Sequence, residues 1–411
     1  MKTTLIFWVF LIVALAVTSS CSKDEAAKQT EPVKINLPLK SAEVIAQGNE
    51  FGIDLFRLVA AGENKNLMLS PLSASTALTM LMNGSAGNTF SQISSMLGDS
   101  NLTQPEINAV YQSLISQLLV ADPDVNLMIA NSVWYRQTFE VKVPFLSTMT
   151  SSFDAHTEAL DFNSVQALNT INNWASENTN GKIPKVLDQI SPDAVMFLMN
   201  ALYFKGTWTT SFEKNKTSPS IFYTNNGQTI SVDMMHGEFA YKTYSEVDFS
   251  VAELPYGRQN FVMDIILPVA DLTEFLPTLD AAKWNRITAG LGAVSQPSKA
   301  EIGLPKFSFS YEKILNDQLK VLGMTDAFDA SLADLSPISD ADIFVSFVKQ
   351  NTFVNVNEEG TEAAAVTTVG IELTSMPQSF IVDRPFVFVI REQTTNTLLF
   401  IGQVVNPIDS K

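Results

Sequence analysis

Hydrophobic and polar positions change their period near the middle of the chain. In the first half, "SAEVIAQGNEFGIDLFRLVAA" and "QPEINAVYQSLISQLLV" place apolar residues at helical spacing. "SPLSASTALTMLMNGSAGNTFSQISSML" opens on Ser70-Pro71, a cap followed by a first-turn proline. "NLMIANSVWYR" switches to a strand pattern, and "SVQALNTINNWASENTNGKIPKVL" returns to helix and ends at Gly181. The second half is strand-rich: "AVMFLMNALYFKGTW", "FVMDIILP", "AEIGLPKFSFS", "DIFVSFVKQNTFVNVN", "RPFVFVIRE" and "TLLFIGQVV". Helices early and strands late predict an α+β domain with large, mostly antiparallel sheets. Several strands are apolar on both faces, so at least one sheet is expected to be buried on both sides.

One stretch does not fit a simple strand or loop. From Thr361, "TEAAAVTTVGIELT" can be sorted by strand face. Thr361, Ala363, Ala365, Thr367, Val369, Ile371 and Leu373 form an uncharged face. Glu362, Ala364, Val366, Thr368, Gly370, Glu372 and Thr374 form the other, which holds every charge. As a permanent strand, the segment would join "FVSFVKQNTFVNVN" through Glu358-Glu359-Gly360 and far exceed the usual 3–10 residues. As a plain loop, it leaves the one-sided charge unexplained. A segment that is at times loop and at times strand satisfies both, with Gly360 as the hinge.

Composition narrows the partners. The 26 Lys+Arg against 43 Asp+Glu give a net charge of −17, which disfavours nucleic acid, polyanionic glycans and anionic membrane surfaces. The chain has one cysteine, so no disulfide braces it, and 46% hydrophobic residues supply an ample core. At the N-terminus, Lys2, the apolar run 5–17 and small residues before Cys21 make a secretory signal too short to span a bilayer comfortably. Thr18-Ser19-Ser20-Cys21 resembles the lipobox of bacterial lipoproteins, in which the cysteine becomes the lipidated N-terminus. The alternative is a soluble secreted protein with an incidental cysteine. Ser22-Lys23-Asp24-Glu25 resembles a signal for export to the outer cell surface. Residues 1–20 thus read as a signal peptide, 21–36 as a flexible tether and 37–411 as one domain without an internal composition shift.

Catalytic chemistry is scarce. The two histidines, His156 and His236, have no metal-binding spacing and read as surface or loop residues. "NGSAG" around Ser85 lacks the spacing of a nucleophile elbow, and no phosphate-binding glycine loop occurs. The chain reads as a non-enzyme without metal or cofactor.

"VNEEGTEAAAVTT" followed by "FIVDRPFVFVI" resembles the reactive-loop hinge and C-terminal signature of the serpins. "NKNLMLSPLSASTALTML" resembles that family's second helix, "TINNWASENTNGKIPKVL" the helix across its main sheet, and "LMNALYFKGTW" that sheet's third strand. "LPKFSFS" and "FIGQVVNP" have counterparts too, and among members the chain resembles the bacterial lipoprotein serpins. The resemblance implies eight or nine helices around three sheets, with an exposed reactive-centre loop. It implies a monomer that traps a target peptidase covalently. The enzyme cuts the loop, forms an acyl-enzyme and is carried along as the loop inserts as a central strand. About fourteen residues at ~3.3 Å each would move it roughly 45 Å.

Carried onto this chain, the family pattern implies a hinge at Glu358, Glu359, Gly360, Thr361, Glu362, Ala363, Ala364 and Ala365. It implies a cut at Thr374–Ser375, with Leu373, or Val366, Thr367, Thr368 and Val369, as alternative registers. No Lys or Arg lies between Gly360 and Ile381, which favours elastase-like or subtilisin-like enzymes over trypsin-like ones, with cysteine peptidases possible at other registers. Ser70, Ser73, Asn200 and Gln350 match a polar cluster under the sheet (the shutter), with glutamine where the family usually has histidine. Trp208, Lys306 and Glu358 match the point where insertion begins (the breach), with an expected Lys306–Glu358 ion pair. "NAVYQSLISQLL", matching the heparin-binding helix of other members, lacks Lys and Arg, so heparin activation is not expected. The competing reading is a non-inhibitory surface-binding protein of the same fold.

Overall fold

The computed structural model describes residues 32–98, 101–361 and 379–409. Cys21 and the loop positions 362–369 and 373–375 lie outside the described residues.

Nine α-helices occur among the described residues: α1 (Ser41–Ala60), α2 (Pro71–Asn83), α3 (Gly87–Met96), α4 (Gln104–Leu118), α5 (Val143–Phe153), α6 (Val165–Glu177), α7 (Leu272–Phe275), α8 (Ala281–Gly292) and α9 (Asn316–Val321). The Ser70 hydroxyl caps α2 by accepting the Ser73 N–H at 3.2 Å, and Pro71 fills the first turn. The segment read as one helical stretch is two helices, because the backbone leaves the helix at Gly84.

A six-stranded sheet contains β2 (Val125–Arg136), β3 (His156–Leu160), β4 (Met196–Thr207), β10 (Phe307–Ile314), β11 (Lys349–Asn357) and β12 (Gly360–Thr361), in the order β10-β11-β12-β4-β2-β3. The larger sheet runs β1-β15-β14-β8-β7-β6-β9-β13, with β5 attached to β6. Its strands are β1 (Leu67–Leu69), β5 (Thr217–Tyr223), β6 (Thr229–Ser245), β7 (Phe249–Tyr256), β8 (Phe261–Pro268), β9 (Ser298–Pro305), β13 (Phe380–Ile381), β14 (Phe386–Glu392) and β15 (Leu398–Val404). Two of the three expected sheets are therefore continuous. The 17-residue β6 pairs with β5 and β9 at one end and with β7 at the other. Pairing is antiparallel except for β2–β3 and β9–β13.

Every residue of β8, β14 and β15 is buried, as their unbroken apolar runs require. The six-stranded sheet is covered on one face by the main core. On the other, α6 packs Ile171 and Ala167 with Trp134 and Phe197.

Two readings need correction. "LML" before Ser70 is strand β1, not the lead of a helix. In "DIFVSFVKQNTFVNVN" the strand begins only at Lys349, because the preceding backbone is bonded elsewhere. Val345 N–H donates to the Ala327 carbonyl, and Val348 N–H to the Asn316 side chain. Both histidines are accessible, as expected, but sit in strands, with Glu158 2.9 Å from His156 and Glu301 3.5 Å from His236.

Candidate functional site: the turn into the central sheet

The chain reverses between β11 and β12. Val356 and Asn357 pair with Thr361 and Gly360, leaving Glu358-Glu359 as the turn. On its other side β12 pairs with β4, Gly360 with Thr207 and Thr361 with Gly206. Among the described residues, β11 and β4 share no ladder of their own, and β12 is what joins them. Gly360 has φ 145°, and a Cβ there would lie 2.1 Å from the Gly206 carbonyl oxygen. Glycine alone fits this approach.

The segment linking β4 to β5 wraps the turn. Trp208 donates its N–H to the Glu359 carbonyl at 3.0 Å and its indole N–H to the Asn357 carbonyl at 3.0 Å. Phe212 N–H donates to the Glu358 carbonyl at 2.9 Å. The Glu358 Oε1 accepts from Thr217 at 2.8 Å and from Lys306 Nζ at 3.2 Å, so the expected ion pair is present. Burial alone would raise the Glu358 carboxyl. Its own backbone N–H, Thr217 and Lys306 outweigh that and hold it below the ordinary value. Thr361, the first residue of the uncharged face, is buried, and its Oγ1 lies 2.7 Å from the Tyr256 hydroxyl. Tyr256 stacks on Trp208 with ring centroids 4.4 Å apart.

Of the polar residues expected under the sheet, Ser70 and Gln350 meet directly. The Gln350 amide accepts the Ser70 N–H at 3.0 Å and donates to the Ser70 carbonyl at 2.8 Å. Asn200 instead donates to Asn131 at 2.7 Å, and Asn131 to the Phe153 carbonyl at 2.7 Å. No hydrogen bond joins these two groups among the described residues. The sequence reading missed Tyr256, Thr217, Asn131 and Lys214. No local pattern marks any of the four.

The family model for serpins (serine protease inhibitors) matches residues 46–407. The chain belongs to the serpin family. Among curated relatives, Iris from Ixodes ricinus is 35% identical over 370 residues, covering 86% of this chain and 96% of that protein. The human leukocyte elastase inhibitor is 33% identical over 382 residues, covering 89% and 100%. The thermophilic serpin tengpin in its native state superposes with a TM-score of 0.81 at 31% identity, covering 92% and 97% of the two chains. Its latent state gives 0.77 at 29% identity, covering 91% and 100%. Serpins are in general inhibitors of peptidases rather than catalysts, and this chain has the family's single α+β domain.

Proposed function

We propose that this serpin inhibits peptidases as a suicide substrate, with residues 362–374 adding to the six-stranded sheet after the loop is cut. The observation that carries this is β12 itself, a strand already begun between β11 and β4 and aimed along the slot between them. Face alternation supports continuation. With Thr361 buried, the uncharged positions 363, 365, 367, 369, 371 and 373 fall on the same side, so insertion buries no carboxylate there. Glu358-Glu359-Gly360 acts as the turn, and Ser70 and Gln350 hold β11 to the start of α2.

The bait bond proposed is Thr374–Ser375, and the absence of Lys and Arg from the loop suits elastase-like or subtilisin-like enzymes. The similarity to the human leukocyte elastase inhibitor points the same way. Mixing the protein with an elastase-like serine peptidase and running a denaturing gel tests the proposal. A covalent band of summed mass is expected, with mass spectrometry of the released C-terminal peptide starting at Ser375. Clean cleavage without that band supports the non-inhibitory reading. Thr374→Arg is expected to bring trypsin-like enzymes into the covalent complex.

The N-terminal sequence supports a lipid anchor at Cys21 on a bacterial outer membrane, exposed at the surface. Cys21→Ser is expected to release the protein from the membrane fraction. We propose a monomer independent of heparin, since α4 carries no Lys or Arg.

A further inference from the structure

The turn that begins β12 has two carboxylates, and the Glu358 contacts leave Glu359 unexplained. Lys214 Nζ lies 2.6 Å from Glu359 Oε1; the lysine is exposed and the glutamate half-buried. Lys214 opens a single 3-10 turn (Lys214–Lys216) just before β5. The backbone around Glu359 is held at three further points. Its N–H donates to Asn357 Oδ1 at 2.9 Å, its carbonyl accepts from Trp208 N–H, and the adjoining Glu358 carbonyl accepts from Phe212 N–H. Trp208, Phe212, Lys214 and Thr217 thus bracket one turn from one short segment, and that segment grows directly out of β4, the far wall of the slot.

The bracket has a consequence for register. With the reversal at Glu358-Glu359, Thr361 enters the core and meets Tyr256. A reversal one residue later would put Glu362 in the place of Thr361 and turn the charged face inward along the whole segment, because side chains alternate with period two. Backbone contacts with Trp208 and Phe212 do not distinguish one residue type from another. The lysine does: it selects a carboxylate at position 359, as Lys306 and Thr217 select one at 358.

We propose that Lys214 is a positioning residue for loop insertion, fixing through Glu359 the register in which the cut loop enters the sheet. This rests on the inhibitory reading above. With its lysine in solvent, the pair is partly screened by salt and modest in strength. Its effect is therefore on the race between insertion and deacylation, not on whether the protein folds.

The test compares wild type with Lys214→Met, Lys214→Arg and Glu359→Gln. With a peptidase that forms the covalent complex, Lys214→Met and Glu359→Gln are expected to raise the ratio of cleaved free inhibitor to complex about two- to five-fold. Lys214→Arg is expected to restore the wild-type ratio. Salt at 1 M, which also screens the Lys306–Glu358 pair in both proteins, is expected to narrow the difference between wild type and Lys214→Met. Amide hydrogen exchange over residues 357–361 of the uncut protein reads the same contact without any peptidase and should be faster in Lys214→Met. Absence of a covalent band with wild type strikes the inhibitory reading. Unchanged exchange at the turn, or an unchanged ratio where the complex forms, overturns the role of Lys214.

Discussion

The hydroxyl oxygens of Tyr256 and Thr361 lie 2.7 Å apart, both in buried residues, where β12 meets the end of β7. Burial raises the Tyr256 phenol well above its ordinary value, so it stays a neutral hydrogen-bonding group at any working pH. Tyr256→Phe leaves the Thr361 hydroxyl buried without this partner and is expected to destabilise the protein by about 1–3 kcal/mol. Adding Thr361→Val should recover much of that loss, because replacing both partners removes the unpaired group. Urea unfolding of the two single variants and the double variant measures this coupling.

Gly360→Ala tests the close approach of the turn to β4. A Cβ at 2.1 Å from the Gly206 oxygen, with φ at 145°, can be relieved only by moving β12 away. Strain of about 1–3 kcal/mol is expected from the backbone conformation alone, before the overlap is counted. The variant should be cut at a normal rate, with the covalent band reduced at least ten-fold on a denaturing gel. An undiminished band would mean that insertion does not pass through this geometry.

Gln350 carries an amide that does not titrate, so its two bonds to the Ser70 backbone are independent of pH. Gln350→Ala strands the buried Ser70 N–H, while the Ser70 carbonyl keeps the Ala74 N–H, and should cost about 1–3 kcal/mol. Gln350→His should introduce a pH dependence that wild type lacks at this site. Held neutral by burial, the imidazole would lose stability as pH falls below about 6.5. Thermal unfolding at pH 5 and 7.5 separates the variants.

A second pH effect comes from a buried charge row across β6, β7, β8 and β14. Arg391 Nε lies 2.6 Å from Asp264 Oδ2 and its other arm pairs with Glu253, which Lys242 also approaches at 2.9 Å. Burial pushes the Asp264 carboxyl up to about 6; Arg391 opposes the shift, and Glu253 adds to it. Its folded value lies above the unfolded value of 3.8, so its stabilising contribution is full below about pH 3.8 and is lost as pH rises through 6. The change is on the order of 3 kcal/mol. Asp264→Asn should remove that slope from urea midpoints measured between pH 4 and 7. A slope equal to that of wild type would show that Asp264 stays ionised throughout.

Much of the turn was legible from sequence because its requirements are local. Gly360 and the alternation after it follow from backbone sterics and strand period, and these alone point to a hinge. The Lys306–Glu358 pair was legible only through family resemblance, since 52 residues separate its members. Lys214 and Tyr256 were not legible. A lysine in a short loop and a tyrosine at a strand end have ordinary surface and core readings, and their partners at 359 and 361 lie more than a hundred residues away.

The sequence by itself determined the α+β class, the doubly buried strands, the cap at Ser70 and the one-sided charge after Gly360. Each depends on the period of side chains along a single element. Only the tertiary structure decided that the chain reverses at Glu358-Glu359, that β12 lies between β11 and β4, and that the β4–β5 segment clasps the turn. Those facts depend on which backbone hydrogen bonds are satisfied by distant strands, and a strand's own residues do not name its neighbour.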